Sequence, residues 1–539
     1  MPLFHVRQVS RIGSVARAGA VVGAASAASR LLGFARDVLI AGVLGAGAVA
    51  DAFLVAFRIP NVIRRVLGEG GLNAGFVPLH GDIAATGGRE AARLFAGRTI
   101  ANAALFFAAL TGLAQLAAGG LVLALAAGFG DADKFALAVW YTRLALPFVA
   151  FTGLAALLAA LLNAHRRFTA AAVAPALVNG VLIGALLLLD GATENDIATG
   201  AWLAVAISLS GLLHLVIVAW AVARMPERPP LSRPRFDADT KRLVRFAVPA
   251  LVASGMTQII LLAAMALASG QPSTVSWLYY ADRVFQLPLS FIAVAAGVVL
   301  LPEFVARAGR DNGSASSAAL TRYLTGALAL ALPATAGLIA LGHTIVSVLF
   351  ERGAFEAADS RATAALLMAL AIGLPAAGAS KVLSQPFFAR RQVWPPIAAG
   401  LAGVAATLAG GHALAETWGS MVAWPSPFSD APVPFGSVGL AASLGLWVQA
   451  LVLAALARAD IVWSRHTGGG VARLALAATL MGLVAAAADG VTAQWLAPGQ
   501  PLALRGAVLA ALCAAGVLVY LLTMRMLGLR DALAPEQAS

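Results

Sequence analysis

Long apolar runs separated by short polar stretches repeat along the whole chain. A helix that crosses a bilayer needs about 20 mostly apolar residues. Runs of that kind lie near 18–44, 51–67, 98–127, 136–162, 169–189, 197–222, 243–269, 275–301, 322–350, 362–388, 394–414, 436–457, 471–496 and 502–527. The pattern predicts an all-α polytopic membrane protein with about fourteen transmembrane helices. The polar connections sort by charge. Arg166–Arg167, Arg307 with Arg310, Arg390–Arg391, and Arg458 with Arg465 fall in every second connection, as do the seven basic residues from Arg224 to Arg245. The alternate connections carry Asp131, Asp133, Asp190, Glu194, Asp196, Glu416 and Asp430. Basic loops stay cytoplasmic. Both termini are therefore expected inside, as an even number of spans requires.

Composition narrows the class. Hydrophobic residues make up 60% and charged residues 12%, with a mean hydropathy of +0.86. That excludes a soluble enzyme, a disordered chain and a fibrous one. A net charge of +12 would suggest nucleic acid in a soluble protein. Here the charge is sorted by loop, so it reads as topology and no nucleic-acid partner is expected. The single cysteine, Cys513, rules out a disulfide framework, and the seven histidines show no metal-ligand spacing. No metal or cofactor is predicted. Met1 to Arg17 is basic, and the next apolar stretch leads into Arg30, Arg36 and Asp37, so it reads as a retained span.

The chain also echoes itself. Ala56-Phe57-Arg58 corresponds to Ala281-Asp282-Arg283 at an offset of 225, and Arg166–Arg167 to Arg390–Arg391 at an offset of 224. Leu146-Pro147 and Leu374-Pro375 precede those arginine pairs. The offset spans six helices, an even number, so the halves run parallel. The predicted organisation is a six-helix lobe at 1–223, a cytoplasmic linker at 224–242, a second six-helix lobe at 243–460, and a C-terminal helix pair and tail at 461–539. The two lobes are expected to surround a central cavity.

Charged residues inside spans carry the candidate chemistry, since each costs about 2.5–3.5 kcal/mol on insertion scales. They are Arg30, Arg36 and Asp37 in the first span, Asp51 and Arg58 in the second, Asp282 and Arg283 in the eighth, and Lys381 in the tenth. Residues seven apart share a helix face. Arg30 and Asp37 lie on one stripe with Gly33 between them; Asp51, Arg58 and Arg65 lie on another. Most of these charges fall in corresponding helices of the two lobes. Four arginines against three aspartates leave a surplus of guanidinium, the group suited to bidentate phosphate binding. A water-filled cavity of that sign reads as an anion site, with phosphate foremost. The alternative is a set of internal salt bridges, and Lys381 could simply snorkel. Gly68-Glu69-Gly70-Gly71 reads as a gate hinge or as a plain helix break. Pro147, Pro249, Pro288, Pro333 and Pro375 mark expected bends.

Ser29-Arg30-Leu31-Leu32-Gly33-Phe34-Ala35-Arg36-Asp37 resembles the first-helix signature of the MviN/MurJ family. Asp51-Ala52-Phe53, Phe57-Arg58-Ile59-Pro60-Asn61, Arg64-Arg65 and Glu69-Gly70 resemble its second helix, and Ser276-Trp277-Leu278-Tyr279-Tyr280-Ala281-Asp282-Arg283 its eighth. The resemblance implies a lipid II flippase of the bacterial inner membrane, within the multidrug/oligosaccharidyl-lipid/polysaccharide exporter superfamily. Its partners would be lipid II, the undecaprenyl-pyrophosphate-linked disaccharide-pentapeptide, and membrane lipids. Arg30, Arg36, Arg58 and Arg283 would bind the pyrophosphate or help close the gate. Asp37, Asp51, Asp282, Arg64, Arg65 and Glu69 would be charge partners and gate residues, and the C-terminal pair a groove for the isoprenoid tail. Two positions depart from the family pattern: Gln286 where some members carry Glu, and Arg58 where others carry Lys. The sodium-binding carboxylates suggested for some members have no counterpart in the seventh, eleventh and twelfth spans, which argues against sodium coupling. The rival readings are a multidrug or cation antiporter, which should show an acidic or aromatic pocket, and a polytopic glycan polymerase, which should show a large outer catalytic loop. No bond-making activity is expected.

Overall fold

The computed structural model describes residues 24–529 apart from 26, 67–71, 190–195, 296–312, 391, 419–435, 459–460 and 462–464. Within them the chain is helical, and the one β feature is a bridge between Arg352 and Phe355. Nine helices are long and apolar enough to cross a membrane among the described residues, and a tenth joins them if the bent pair Ala357–Ala371 and Leu374–Ala389 is one span. The expected spans at 51–67 and 275–301 are helices too, Ala48–Val66 and Thr274–Ala295, but their charged and polar residues lower their hydropathy. The chain is an all-α, multi-span membrane protein.

Two compact units divide it: Met1–Ala124 with Phe129–Gly255, and Leu125–Gly128 with Met256–Ser539. The first unit contains α1 (27–44), α2 (Ala48–Val66), α3 (Leu72–Leu116), most of α4 (Ala118–Leu125), α5 (Ala132–Ala145), α6 (Pro147–Ala164), α7 (Phe168–Leu189), α8 (Asp196–Ala223) and the start of α9 (Ala238–Ala268). A positive φ at Gly45 turns the chain between α1 and α2, where glycine is favoured because it has no Cβ. The expected span at 136–162 lies within one membrane-length stretch, Ala132–Ala164, in which α5 passes into α6 at Leu146, where Pro147 has no N–H to continue the ladder. The side chain of Asp131 caps α5 by accepting from the Asp133 amide. Helix α6 packs between α3 and α8, and Tyr141 of α5 donates to the Ile197 carbonyl at 2.7 Å. Gly200 leaves room for that ring, since a Cβ there would collide with it.

The linker is strapped along α3 rather than left free. Arg89 pairs with Glu227 at 2.9 Å, Arg93 donates to the Arg228 carbonyl, and Asn102 donates to the Arg235 carbonyl at 2.8 Å. Arg98 pairs with Asp237, which also caps α9 by accepting from the Thr240 amide and hydroxyl. Burial alone would raise the Asp237 pKa; the hydrogen bonds from Thr240 and Arg98 outweigh it and hold the carboxyl below its usual value.

The second unit contains the rest of α9, α10 (Thr274–Ala295), α11 (Gly313–Ala340), α12 (Gly342–Phe350), α13 (Ala357–Ala371), α14 (Leu374–Leu383), α15 (Gln385–Ala389), α16 (Trp394–Trp418), α17 (Gly436–Leu456), α18 (Arg465–Leu496) and α19 (Leu502–Met526). The expected span at 322–350 breaks at Leu341, and the one at 362–388 bends by 43° ahead of Pro375. Pro288 and Pro333, expected to mark bends, lie inside continuous helices. A capping box between Glu356 and Asp359 starts α13. The C-terminal helices α18 and α19 pack on each other and against α11, with Tyr520 donating to the Ala329 carbonyl at 2.8 Å.

Candidate functional site

In the first unit the charges lie on α1, α2 and the start of α5. Arg36 and Asp37 are 3% and 1% exposed, so neither could stay ionised without partners. Arg36 donates from Nε and Nη2 to Asp37 Oδ1 at 2.9 and 2.6 Å, and from Nη1 to Asn179 Oδ1 at 2.8 Å. Its guanidinium also lies over the Phe57 ring. Asn179 of α7 returns a hydrogen bond to the Ser29 carbonyl at 2.9 Å, and its amide packs beside Gly33. Arg30, on the same stripe as Asp37, is exposed.

Asp51 is fully buried and takes an ion pair from Lys134 at 2.6 Å, while the ammonium sits over the Phe129 ring. Arg58 lies two turns further along α2, at 5% exposure. Beyond it Arg64 donates to the buried Asn61 at 3.0 Å. The side chain of Arg65, and Glu69 with the glycines around it, lie outside the described residues. Along α1, α2 and α5, Arg30, Arg36, Arg58, Arg64, Arg65, Lys134 and Arg143 stand against Asp37, Asp51 and Asp133, an excess of four positive charges.

In the second unit Asp282 is buried and Arg283 half-buried, both on α10. Arg283 donates to the Tyr279 hydroxyl one turn back at 2.8 Å, and its guanidinium lies 4.6 Å from the centre of that ring. This locks the fork over an aromatic face. Trp277 donates to Asp359 at 2.9 Å and ties α10 to the start of α13. Lys381 is half-buried on α14.

Sequence reading singled out every arginine here but missed Asn179 and Tyr279 as partners of Arg36 and Arg283, and Lys134 as the partner of Asp51. Asn179 is one polar residue inside the apolar run of α7, which was the available signal. Lys134 sits next to the acidic Asp131 and Asp133 and reads as a loop charge. Among the described residues no group of His, Cys, Asp and Glu could hold a metal. In the first unit cations outnumber carboxylates, an arrangement that favours an anion over a cation.

The model of the lipid II flippase MurJ family matches residues 40–505. A probable lipid II flippase MurJ from Rhizobium meliloti (strain 1021) is 35% identical over 520 residues, covering 94% of this chain and 93% of that protein. The solved structure of a lipid II flippase MurJ in an inward closed conformation superposes with a TM-score of 0.75 at 21% identity, covering 95% of this chain and 99% of that one. An inward-facing multidrug resistance transporter of the MATE family reaches a TM-score of 0.66 at 13% identity, covering 82% and 95%.

Proposed function

Because the chain belongs to the lipid II flippase MurJ family, we propose that the buried cations of its two units serve the passage of a lipid-linked pyrophosphate. The protein is a lipid II flippase. It moves the undecaprenyl-pyrophosphate-linked peptidoglycan precursor from the cytoplasmic to the periplasmic leaflet by alternating access. In our reading it breaks and makes no bond. It lies in the bacterial inner membrane with both termini in the cytoplasm, a side assignment supported by the sorting of basic and acidic loops.

Roles divide by how firmly each group is held. Arg36 is locked into Asp37 and Asn179, so we assign it to shaping the site and keeping α1 against α7. Arg30 is exposed and Arg58 lies on α2 two turns beyond Asp51, so we assign both to drawing in the pyrophosphate. Arg283, held flat by Tyr279, presents a fixed fork that can grip two oxygens. Asp51 with Lys134 holds α2 to α5. Asp282 sits beside Arg283 as its charge partner, and Arg64, Arg65 and Glu69 form the gate. The linker strapped on α3 joins the lobes, and α18 with α19 offers an apolar surface for the isoprenoid tail.

The excess of guanidinium over carboxylate is the observation that carries the site assignment. A multidrug or cation antiporter shares the fold, as the likeness to the MATE transporter indicates. It would need a pocket of the opposite sign. The test is depletion of the native flippase in a bacterium that carries this chain, reading lipid II accessibility on the outer leaflet. Wild type should restore it and Arg283→Ala should not, with equal amounts of inserted protein. Full rescue by Arg283→Ala would remove the arginine from the site.

A further inference from the structure

Arg505 stands apart from the charges above. It lies one turn into α19, 5% exposed, in the second unit. A buried guanidinium normally meets a carboxylate, because an unpaired charge in a low-dielectric surround costs several kcal/mol. Among the described residues no carboxylate lies within 4.0 Å of it. Its one contact is a long 3.4 Å hydrogen bond from Nη2 to the Ser347 hydroxyl on α12. Its Nε is buried with no acceptor.

The groups around it deepen the puzzle. Arg352, just past the end of α12, reaches back to the same end of that helix and spends its guanidinium on the carbonyls of Val348 and Leu349, next to Ser347, at 2.7 and 2.8 Å. Burial first, and the Arg505 charge second, push the Arg352 pKa below its ordinary value. The buried Asp489 on α18 forms no ion pair with either arginine among the described residues; its Oδ1 accepts from Thr344 at 2.7 Å. Two cations thus converge where α12 meets the C-terminal pair, with hydroxyls and no contacting acid.

We propose that Arg505 and Arg352, with the Ser347 hydroxyl, form a second anion site that takes the phosphate of a lipid headgroup. The chemistry of the donors fits phosphate, since a guanidinium presents parallel N–H groups to its oxygens. A lipid is the indicated carrier because the helix that carries Arg505 and its neighbour α18 expose apolar side chains near their adjoining ends. Trp495, Val491 and Leu502 are 43%, 73% and 52% exposed on α18 and α19, an apolar surface along which a hydrocarbon tail can lie. The Arg352 connection is one of those expected on the periplasmic side. The site therefore suits a lipid in the outer leaflet, after rather than during transport. That placement rests on the flippase reading; the anion site itself does not.

The experiment uses the full chain in the Arg283→Ala background, held in dodecyl maltoside micelles, which carry no phosphate and no leaflets, so that transport is absent throughout. Equilibrium binding is measured for farnesyl pyrophosphate, short-chain phosphatidylglycerol and inorganic phosphate. Loss of a charge-assisted bidentate contact should weaken a lipid probe by about 10- to 100-fold in Arg505→Met, with a smaller loss in Arg352→Gln and partial recovery in Arg505→Lys. Arg505→Met removes an unpaired buried charge, so its thermal midpoint without ligand should hold or rise. Should it misfold instead, the more accessible Arg352→Gln carries the test. Dependence of farnesyl pyrophosphate binding on these arginines names an isoprenoid lipid, and dependence of phosphatidylglycerol names a membrane phospholipid; either supports the site. Lipid binding unchanged by the substitutions overturns it, and so does an arginine dependence confined to inorganic phosphate. Outer-leaflet lipid II measured separately in otherwise wild-type chain tests the flippase reading without bearing on this result.

Discussion

Arg36 and Asn179 meet at 2.8 Å across 143 positions of sequence, and this contact ties α1 to α7 in the first unit. The asparagine satisfies both a buried guanidinium and, through its amide, the Ser29 carbonyl. Asn179→Leu should therefore lower stability by about 1–3 kcal/mol, the cost of leaving buried polar groups unsatisfied. Asn179→Asp keeps the acceptor toward Arg36 and should lose less. Thermal unfolding of the purified protein decides, and a Leu variant as stable as wild type would make the contact idle.

The Asp51–Lys134 pair is buried on both sides, with side-chain exposures of 0% and 10%. Breaking one half strands the other charge, so Lys134→Met alone should cost about 3–5 kcal/mol. Asp51→Asn combined with Lys134→Met should recover much of that loss. A double-mutant cycle with no coupling would show that the ion pair does not hold α2 to α5.

At Arg283 geometry and charge can be separated. Arg283→Lys keeps the charge and loses the fork, so transport should fall strongly. Tyr279→Phe keeps the ring face and removes only the hydroxyl acceptor, so the loss should be small. Arg58→Lys should be tolerated, since the site asks for charge there. Appearance of lipid II on the outer leaflet is the readout, and full activity of Arg283→Lys would leave only a diffuse electrostatic role for that residue.

Membrane sidedness is open to direct labelling. With the exposed Cys513 replaced by Ala, single cysteines at Glu194 and at Arg390 should react oppositely with an impermeant thiol reagent in intact cells. Equal labelling would overturn the parallel repeat of six helices.

The linker clasp should depend on pH in one direction. The Asp237 pKa is depressed in the folded protein, so its contribution is fully present above the unfolded value and is lost as pH falls through the lower folded value. Hydrogen exchange of the 225–240 backbone should stay protected from about pH 7 to about pH 5 and open only below the usual carboxylate range. Early opening near neutral pH would show that Asp237 does not hold the strap.

Much was legible along the sequence because a bilayer demands it. Apolar runs of fixed length must be helices, since a backbone in hydrocarbon has to satisfy its own hydrogen bonds. Loop charges sort by side, and ionisable residues inside spans stand out because they are costly there. Thus the α5–α8 spans and the arginines on α1, α2 and α10 were all visible in order. What the sequence could not determine was which partner each charge takes. Asp51 could have paired along its own helix with Arg58, yet the fold brings it Lys134 from 83 positions away. Asn179 and Tyr279 gained their roles only when α7 came against α1 and when the rotamer of Arg283 lay back over the preceding turn. Arg505 falls in the last apolar run with nothing in the sequence to single it out, and it is a buried guanidinium through the docking of α12 on the C-terminal pair. Helix formation is decided by local hydrogen bonding and hydropathy, which a sequence displays. Ion pairing is decided by angstrom-scale approach between distant helices, which packing alone supplies.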